Sequence, residues 1–231
     1  MGVEKPLAEC RVAIVGLGLM GGSLAIGLKG KCSRLLGSDC DPDTLSLAIK
    51  LGVVDRADQN LEAILPGADI IVLATPVREI IKLLRLLPEI HPGPVVVVDL
   101  GSTKSEIVRA MAALPPSFDP IGGHPICGNV YAGLKHATAG IYEGATFVLT
   151  PVPKTTEGGR SAVEALVRAV NALPFWISAD DHDAWLAVTS HLPHLLASAL
   201  VAITPEQARH VVGPGFSSAS RLAASDPKMM A

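Results

Sequence analysis

Charge is scarce in this chain. Only 18% of its 231 residues are charged, the formal balance is -3, and no basic run occurs anywhere. Without clustered lysine and arginine there is no electrostatic footprint for a nucleic acid backbone or an anionic membrane surface, and neither is expected as a partner. The four cysteines, Cys10, Cys32, Cys40 and Cys127, form no CxxC pair and no zinc spacing. That pattern argues against a metal site or a disulfide framework and suits reduced thiols in a cytoplasm. The N-terminus MGVEKPLAEC has no basic region leading into an apolar core, so no signal peptide is expected. The longest apolar candidate, Ala184 to Ile203, contains Thr189, Ser190, His191, Pro193 and His194, which argues against a simple membrane span. Internal repeats and low-complexity segments are also lacking.

Apolar residues, by contrast, are abundant at 49%. A chain of this length buries a sizeable core without a staple, and so apolar a balance implies that a partner covers some of the surface. The run RVAIVG (11 to 16) is short, nearly all apolar and ended by glycine, the pattern of a strand buried on both faces of a parallel sheet. LLGSD (35 to 39), DIIVLATP (69 to 76) and PVVVVDLGS (94 to 102) repeat it, with helical patterns near 21–29, 43–51 and 77–87 between them. Alternation of this kind predicts an α/β fold with a Rossmann-type, doubly wound, mostly parallel sheet. PIGGH (120 to 124), ATFVLTP (145 to 151), a helix over about 160–173 and PFWIS (174 to 178) extend it. After Ala179 the pattern becomes one long helix opened by Asp180 or Asp181 as N-cap and apolar nearly all round. Two domains are expected: one over 1–179 that carries the sheet, and a small all-helical one over 180–231. About fifty residues are too few for an independent core, so the second piece should pack on the first, on another subunit, or on both.

The glycine loop Gly16-Leu17-Gly18-Leu19-Met20-Gly21 follows the first strand and opens the first helix. Gly16 makes the tight turn, Gly18 lets the backbone approach a pyrophosphate, and Gly21 lets helix and strand pack closely. Amides at the helix N-terminus then hold the anion, and Leu19 and Met20 of the loop are counted among the cofactor-binding residues. Asp39 stands eighteen residues beyond Gly21 at the end of the next strand. It is placed to accept hydrogen bonds from ribose hydroxyls and to repel a 2′-phosphate, which favours NAD over NADP. Thr75, Pro76 and Val77, after the next strand, lie where the cofactor passes.

Chemistry-bearing residues follow in DLGSTK (99 to 104), GGHPICG (122 to 128), SHLPH (190 to 194) and SRLAASDP (220 to 227). Ser102 and His124 both follow strands and are expected beside the nicotinamide, with His124 as a neutral imidazole taking a proton from a substrate hydroxyl. Ser190 and His194 are four apart and share a helix face, with His191 one position off. On an apolar helix such groups need partners, either a ligand or side chains across an interface. Arg221 has the chemistry of a bidentate carboxylate anchor. No cysteine or carboxylate cluster completes a metal shell around the histidines.

In this order the motifs GLGLMGGS, DLGSTK, GGHPICG, SHLPH and the SDP after Arg221 resemble the prephenate and arogenate dehydrogenases of tyrosine biosynthesis. The resemblance implies NAD-dependent (or NADP-dependent) oxidative decarboxylation of prephenate or arogenate in a cytoplasmic homodimer. It also implies that His124 is the catalytic histidine with Ser102 as its companion, that Ser190 and His194 bind substrate, and that Arg221 binds a carboxylate. Two rival readings differ in class. One is a Rossmann-type hydroxy-acid dehydrogenase, which would use a lysine base on the late helix where this chain has none between Lys154 and Lys228. The other is a dinucleotide-binding protein without catalysis. The chain departs from the family pattern at Asn129 and Val130, where a hydroxyl residue and Glu are usual, at PGFSSAS (214 to 220), and at Met229 and Met230, where a tryptophan is common. Its helical domain is read as truncated relative to the family.

Overall fold

The computed structural model describes residues 5–129 and 131–224. Val130, the SDP at 225–227, Met229 and Met230 lie outside the described residues. A 3₁₀ turn over Leu7–Glu9 is followed by β1 (Arg11–Val15), α1 (Leu19–Leu28), β2 (Arg34–Ser38), α2 (Pro42–Lys50) and a two-residue edge strand β3 (Arg56–Ala57). The chain continues through α3 (Leu61–Ile64), β4 (Ile70–Leu73), α4 (Val77–Ile90), β5 (Val95–Asp99) and α5 (Ser105–Ala112). Then come β6 (Phe118–Pro125), β7 (Thr146–Pro151), α6 (Glu157–Ala169) and β8 (Leu173–Trp176). The strands form one sheet in the order β3-β2-β1-β4-β5-β6-β7-β8, parallel except where β6 meets β7. This is the mostly parallel, doubly wound fold that the alternating pattern predicts. Among the described residues the β6–β7 connection carries 3₁₀ turns over Leu134–His136 and Ala139–Tyr142 and no crossover helix, and the chain returns antiparallel.

Each central strand divides its apolar residues between two cores because successive side chains point to opposite faces. Val12, Ile14, Ile70, Val72, Val96 and Val98 pack on one face with residues of α1 and α6. Ala13, Val15, Ile71, Leu73, Val95 and Val97 pack on the other with residues of α4 and α5. That is why these strands read as unbroken apolar runs rather than alternating ones. The strand order reverses between β1 and β4, and at this switch point the loop of Gly16 to Gly21 opens toward the carboxyl ends of the strands.

Beyond β8, residues 179–203 form one continuous helical stretch, as the sequence pattern suggests, but it is not uniform. It runs as α7 (Ala179–Leu186), a π-helical turn over Ala187–His191, and α8 (Leu192–Ile203). Pro193 has no N–H for the helical ladder, and the wider turn immediately before it carries Ser190 and His191. The N-cap is Ser178, whose hydroxyl accepts from the Asp181 amide at 3.1 Å, rather than Asp180 or Asp181. The serine oxygen reaches the orphan amide from outside the helix, whereas both aspartates already have helical backbone. Likewise α1 starts at Leu19, two residues before the Gly21 start read from sequence, because Gly18 serves as its N-cap. By length and composition 179–203 is long enough to cross a membrane. Asp183 nevertheless ties its first turns to the sheet domain through two backbone hydrogen bonds. Along α8 the apolar face is open in the single chain, with Leu195 62% and Ile203 77% exposed. Helix α9 (Pro214–Ser220) and a 3₁₀ turn over Arg221–Ala224 pack back on α8.

Candidate active site

The glycine loop has the shape an anion cradle needs. Gly16 adopts φ +95°, a left-handed conformation that favours glycine, and turns the chain sharply out of β1. A Cβ on Gly21 would stand 1.9 Å from the Gly16 carbonyl oxygen, so this helix–turn contact admits no side chain. Around Gly18, in contrast, a Cβ would meet nothing within 4 Å. Space is therefore left open beside the N-terminus of α1, which has no side-chain cap. Beside the turn, the Thr75 hydroxyl oxygen is buried and has no hydrogen-bond partner among the described residues. Open space at the second glycine, uncapped amides and an unpartnered hydroxyl fit a dinucleotide diphosphate.

Asp39 buttresses the same loop. One carboxylate oxygen accepts the Leu17 amide at 2.7 Å and the other accepts the Asp41 amide at 3.0 Å. Each oxygen keeps a second lone pair that can accept a further hydrogen bond. The loop is sealed from behind by residues that composition and motif spacing did not single out. Buried Tyr142 donates to the Met20 carbonyl at 2.9 Å, and the Thr138 amide donates to the Ser23 hydroxyl at 2.9 Å.

At the end of β5, DLGSTK builds a buried ion pair. Asp99 and Lys104 side chains are both fully inaccessible, and the lysine ammonium bonds Asp99 directly. Asp99 also accepts the Gly101 amide at 2.7 Å and the Gly123 amide at 2.9 Å, which stitches the β5 end to β6. Burial draws the Lys104 ammonium below its ordinary range, against the pull of Asp99. Gly123 is required for this approach, since a Cβ there would fall 2.3 Å from the Asp99 carbonyl oxygen. Ser102 lies exposed on the loop between Asp99 and Lys104 and makes no hydrogen bond to His124 among the described residues.

His124, half-buried at the end of β6, is held by two residues that sequence reasoning missed. Its Nδ1 lies 2.9 Å from Nε2 of His182, and Nδ1 of His182 lies 2.7 Å from Oδ1 of Asp183. The Asp183 carboxylate in turn accepts the Lys104 amide on Oδ1 and the Ser105 amide on Oδ2, both at 2.8 Å. It thereby caps α5 from another helix. Burial acts to raise the Asp183 carboxyl, but hydrogen bonds from Ser105, His182 and the Lys104 amide outweigh it and bring it to about 2. Burial, followed by electrostatic interaction with Lys104, His182 and His191, pushes His124 down to about 3, with Asp183 opposing. His182 is lowered too, chiefly by burial and against its bond to Asp183. The only sequence signal was DDHD at the start of an apolar helix, which reads as capping and solvated charge.

The late helix brings His191 into the electrostatic surroundings of His124, whereas the sequence reading put its weight on His194. His194 is half-buried on α8, and Ser190 is exposed on the π turn. Arg221 is exposed on the turn that packs against α8, and no contact joins it to His124 among the described residues.

A mostly parallel sheet with a glycine turn at its switch point and a neutral histidine at the end of β6 defines a nucleotide-binding protein of the Rossmann class. Residues 24–173 match the family described as "Prephenate dehydrogenase, nucleotide-binding domain", and residues 178–231 match "Prephenate dehydrogenase, dimerization domain". The chain belongs to the prephenate dehydrogenase family. It is 35% identical over 234 residues to the prephenate dehydrogenase of Bacillus subtilis (strain 168), covering 94% of this chain and 62% of that protein. Among solved structures it is similar to prephenate dehydrogenase from A. aeolicus in complex with hydroxyphenyl propionate and NAD+. That likeness has a TM-score of 0.88 and 32% identity over 97% of this chain and 82% of the other. It is also similar to Synechocystis arogenate dehydrogenase, with a TM-score of 0.82 and 29% identity over 95% and 81% of the two chains. The chain thus spans a little under two thirds of the Bacillus relative's length.

Proposed function

We propose that this chain carries out NAD-dependent oxidative decarboxylation of a cyclohexadiene hydroxy acid, prephenate or arogenate. The carrying observation is His124, a half-buried imidazole kept neutral at the end of β6 and flanked by the late helix. Bound at the loop of Gly16 to Gly21, against Thr75, Pro76 and Val77, the nicotinamide dinucleotide would supply a hydride acceptor. His124 takes the substrate hydroxyl proton as the hydride leaves the same carbon. Loss of the ring carboxylate as carbon dioxide sends its bonding pair to the ring oxygen, which recovers the proton from His124. No proton is released overall. Hydrogen bonding from Ser102 orients the same hydroxyl, Ser190 and His194 line the substrate side, and Arg221 anchors a carboxylate. The Asp39 carboxylate would repel a 2′-phosphate, which supports NAD as the preferred cofactor over NADP.

In the same proposal, residues 1–179 hold the cofactor and 180–231 supply the opposite wall and a homodimer contact. The relatives' dimerization-domain description and the open apolar face of Val188, Leu195 and Leu196 support this. The four thiols are unpaired, which suits a reducing cytoplasm. The test is NADH formation from prephenate and from arogenate, each with NAD and with NADP. Absence of turnover on both substrates, with NAD bound, would leave a dinucleotide-binding protein without this chemistry.

A further inference from the structure

The geometry points to His182 and Asp183 as a positioning pair that sets the tautomer of His124, leaving its Nε2 lone pair for the substrate hydroxyl only when the late helix is docked. This rests on the functional reading above and deepens it.

The assignment follows from the acceptor end of the chain of bonds. Asp183 is ionised and has its two oxygens oriented by the amides of Lys104 and Ser105, so toward His182 it can only accept. Nδ1 of His182 therefore carries a proton and donates it across 2.7 Å. His182 is fully buried and neutral, so its Nε2 has a lone pair and accepts. The donor across the 2.9 Å contact must then be Nδ1–H of His124. A neutral imidazole holds one N–H, so Nε2 of His124 is left unprotonated. Histidine alone prefers the opposite tautomer, with the proton on Nε2, which would offer the hydroxyl a donor instead of a base. Three residues from two elements are thus needed for one lone pair. When His124 takes the hydroxyl proton, the Asp183 carboxylate at the far end of the chain stabilises the imidazolium against the nearby Lys104 charge.

The clamp gives Asp183 a second consequence. The carboxylate that orients His182 also holds α7 against the N-terminus of α5. Undocking of the helix that faces the substrate removes His182 from His124 in the same movement.

The test joins spectroscopy to kinetics on the full chain. In ¹⁵N-labelled protein without substrate, the long-range ¹H–¹⁵N pattern of His124 should show the Nδ1–H tautomer. His182→Gln keeps a carbonyl to accept from His124 and an amide to donate to Asp183. It should retain that tautomer and hold kcat within about tenfold of the parent, the scale of one altered hydrogen bond. His182→Leu keeps the packing volume but removes the acceptor. It should switch His124 to Nε2–H and lower kcat by about 10²-fold or more, with KM changed far less and NAD affinity unchanged. An Nε2–H tautomer in the parent protein, a His182→Leu variant with parental kcat, or equal losses in the Gln and Leu variants would overturn the assignment. Lack of turnover by the parent on either substrate would count against the functional reading alone, because the tautomer is read without turnover.

Discussion

Two glycines of one loop, three residues apart, should respond to the same substitution in opposite ways. In Gly21→Ala the new methyl would lie 1.9 Å from the Gly16 carbonyl oxygen and 2.9 Å from the Ala74 methyl, where ordinary contacts begin at 3.4 Å. The clashing atom is backbone, and it belongs to a residue already at φ +95°, so the carbonyl cannot turn aside without moving the end of β1. Overpacking of this kind costs about 1–3 kcal/mol, and a backbone clash places it at the upper end. For a chain of this size that corresponds to a fall in Tm of about 5–12 °C. In Gly18→Ala the methyl meets nothing within 4 Å, and Gly18 has φ -68°, which alanine adopts freely. Its stability should be unchanged or raised by about 0.4–1 kcal/mol, through loss of freedom in the unfolded chain. The methyl nevertheless occupies the space proposed for the diphosphate, so NAD affinity should fall by at least about tenfold, the loss of one close hydrogen-bonded approach. Thermal unfolding without cofactor and calorimetric titration with NAD measure the two effects separately. A Gly18→Ala protein that binds NAD like the parent would refute the placement of the diphosphate. A Gly21→Ala protein with parental Tm would refute the packing role.

Other expectations follow from the site. His124→Asn should abolish NADH formation from prephenate or arogenate while leaving calorimetric NAD binding intact; retained turnover removes His124 from its role. Asp39→Asn keeps an oxygen for the Leu17 amide but removes the negative charge, so the ratio of NADP to NAD affinity should rise at least about tenfold as like-charge repulsion is relieved. Lys104→Met leaves Asp99 buried beside two amides and no cation, and should cost about 3–5 kcal/mol, read as a lowered denaturation midpoint. Acid should destabilise the fold early. Folded His124 stays neutral down to about 3, whereas in the unfolded chain it binds a proton below about pH 6.5. The unfolded state therefore holds more protons across that window, and stability falls as pH is lowered through it, by up to about 1.4 kcal/mol per pH unit from this group. Urea midpoints measured between pH 7.5 and pH 4.5 check this, and His124→Gln should flatten the slope.

Much of the fold was legible because its local and global signals agree. Apolar runs ended by glycine, spaced by amphipathic segments, admit little besides a parallel sheet covered on both faces. The short edge strand Arg56–Ala57 and helix Leu61–Ile64 escaped notice because two to four residues carry no periodicity. The antiparallel return of β7 was also hidden, since strand direction depends on what the connection does in space. At the site, Gly16, Gly18, Gly21 and Asp39 could be read from spacing alone, because a strand–turn–helix cradle is built from consecutive residues and one neighbouring strand end.

What the sequence determined by itself was therefore the sheet, the anion cradle and the identity of His124 as a candidate base, all products of short-range geometry. What only the tertiary structure decided was the state of that base. The sequence separates His124 from His182 by fifty-eight positions, yet their nitrogens lie 2.9 Å apart. Asp183, which reads as one more acid in a solvated helix start, caps α5 across seventy-eight positions. A hydrogen-bond chain between two helices and a strand end leaves no periodic trace, because each donor is defined by its partner's position in space and not by its neighbours in the chain.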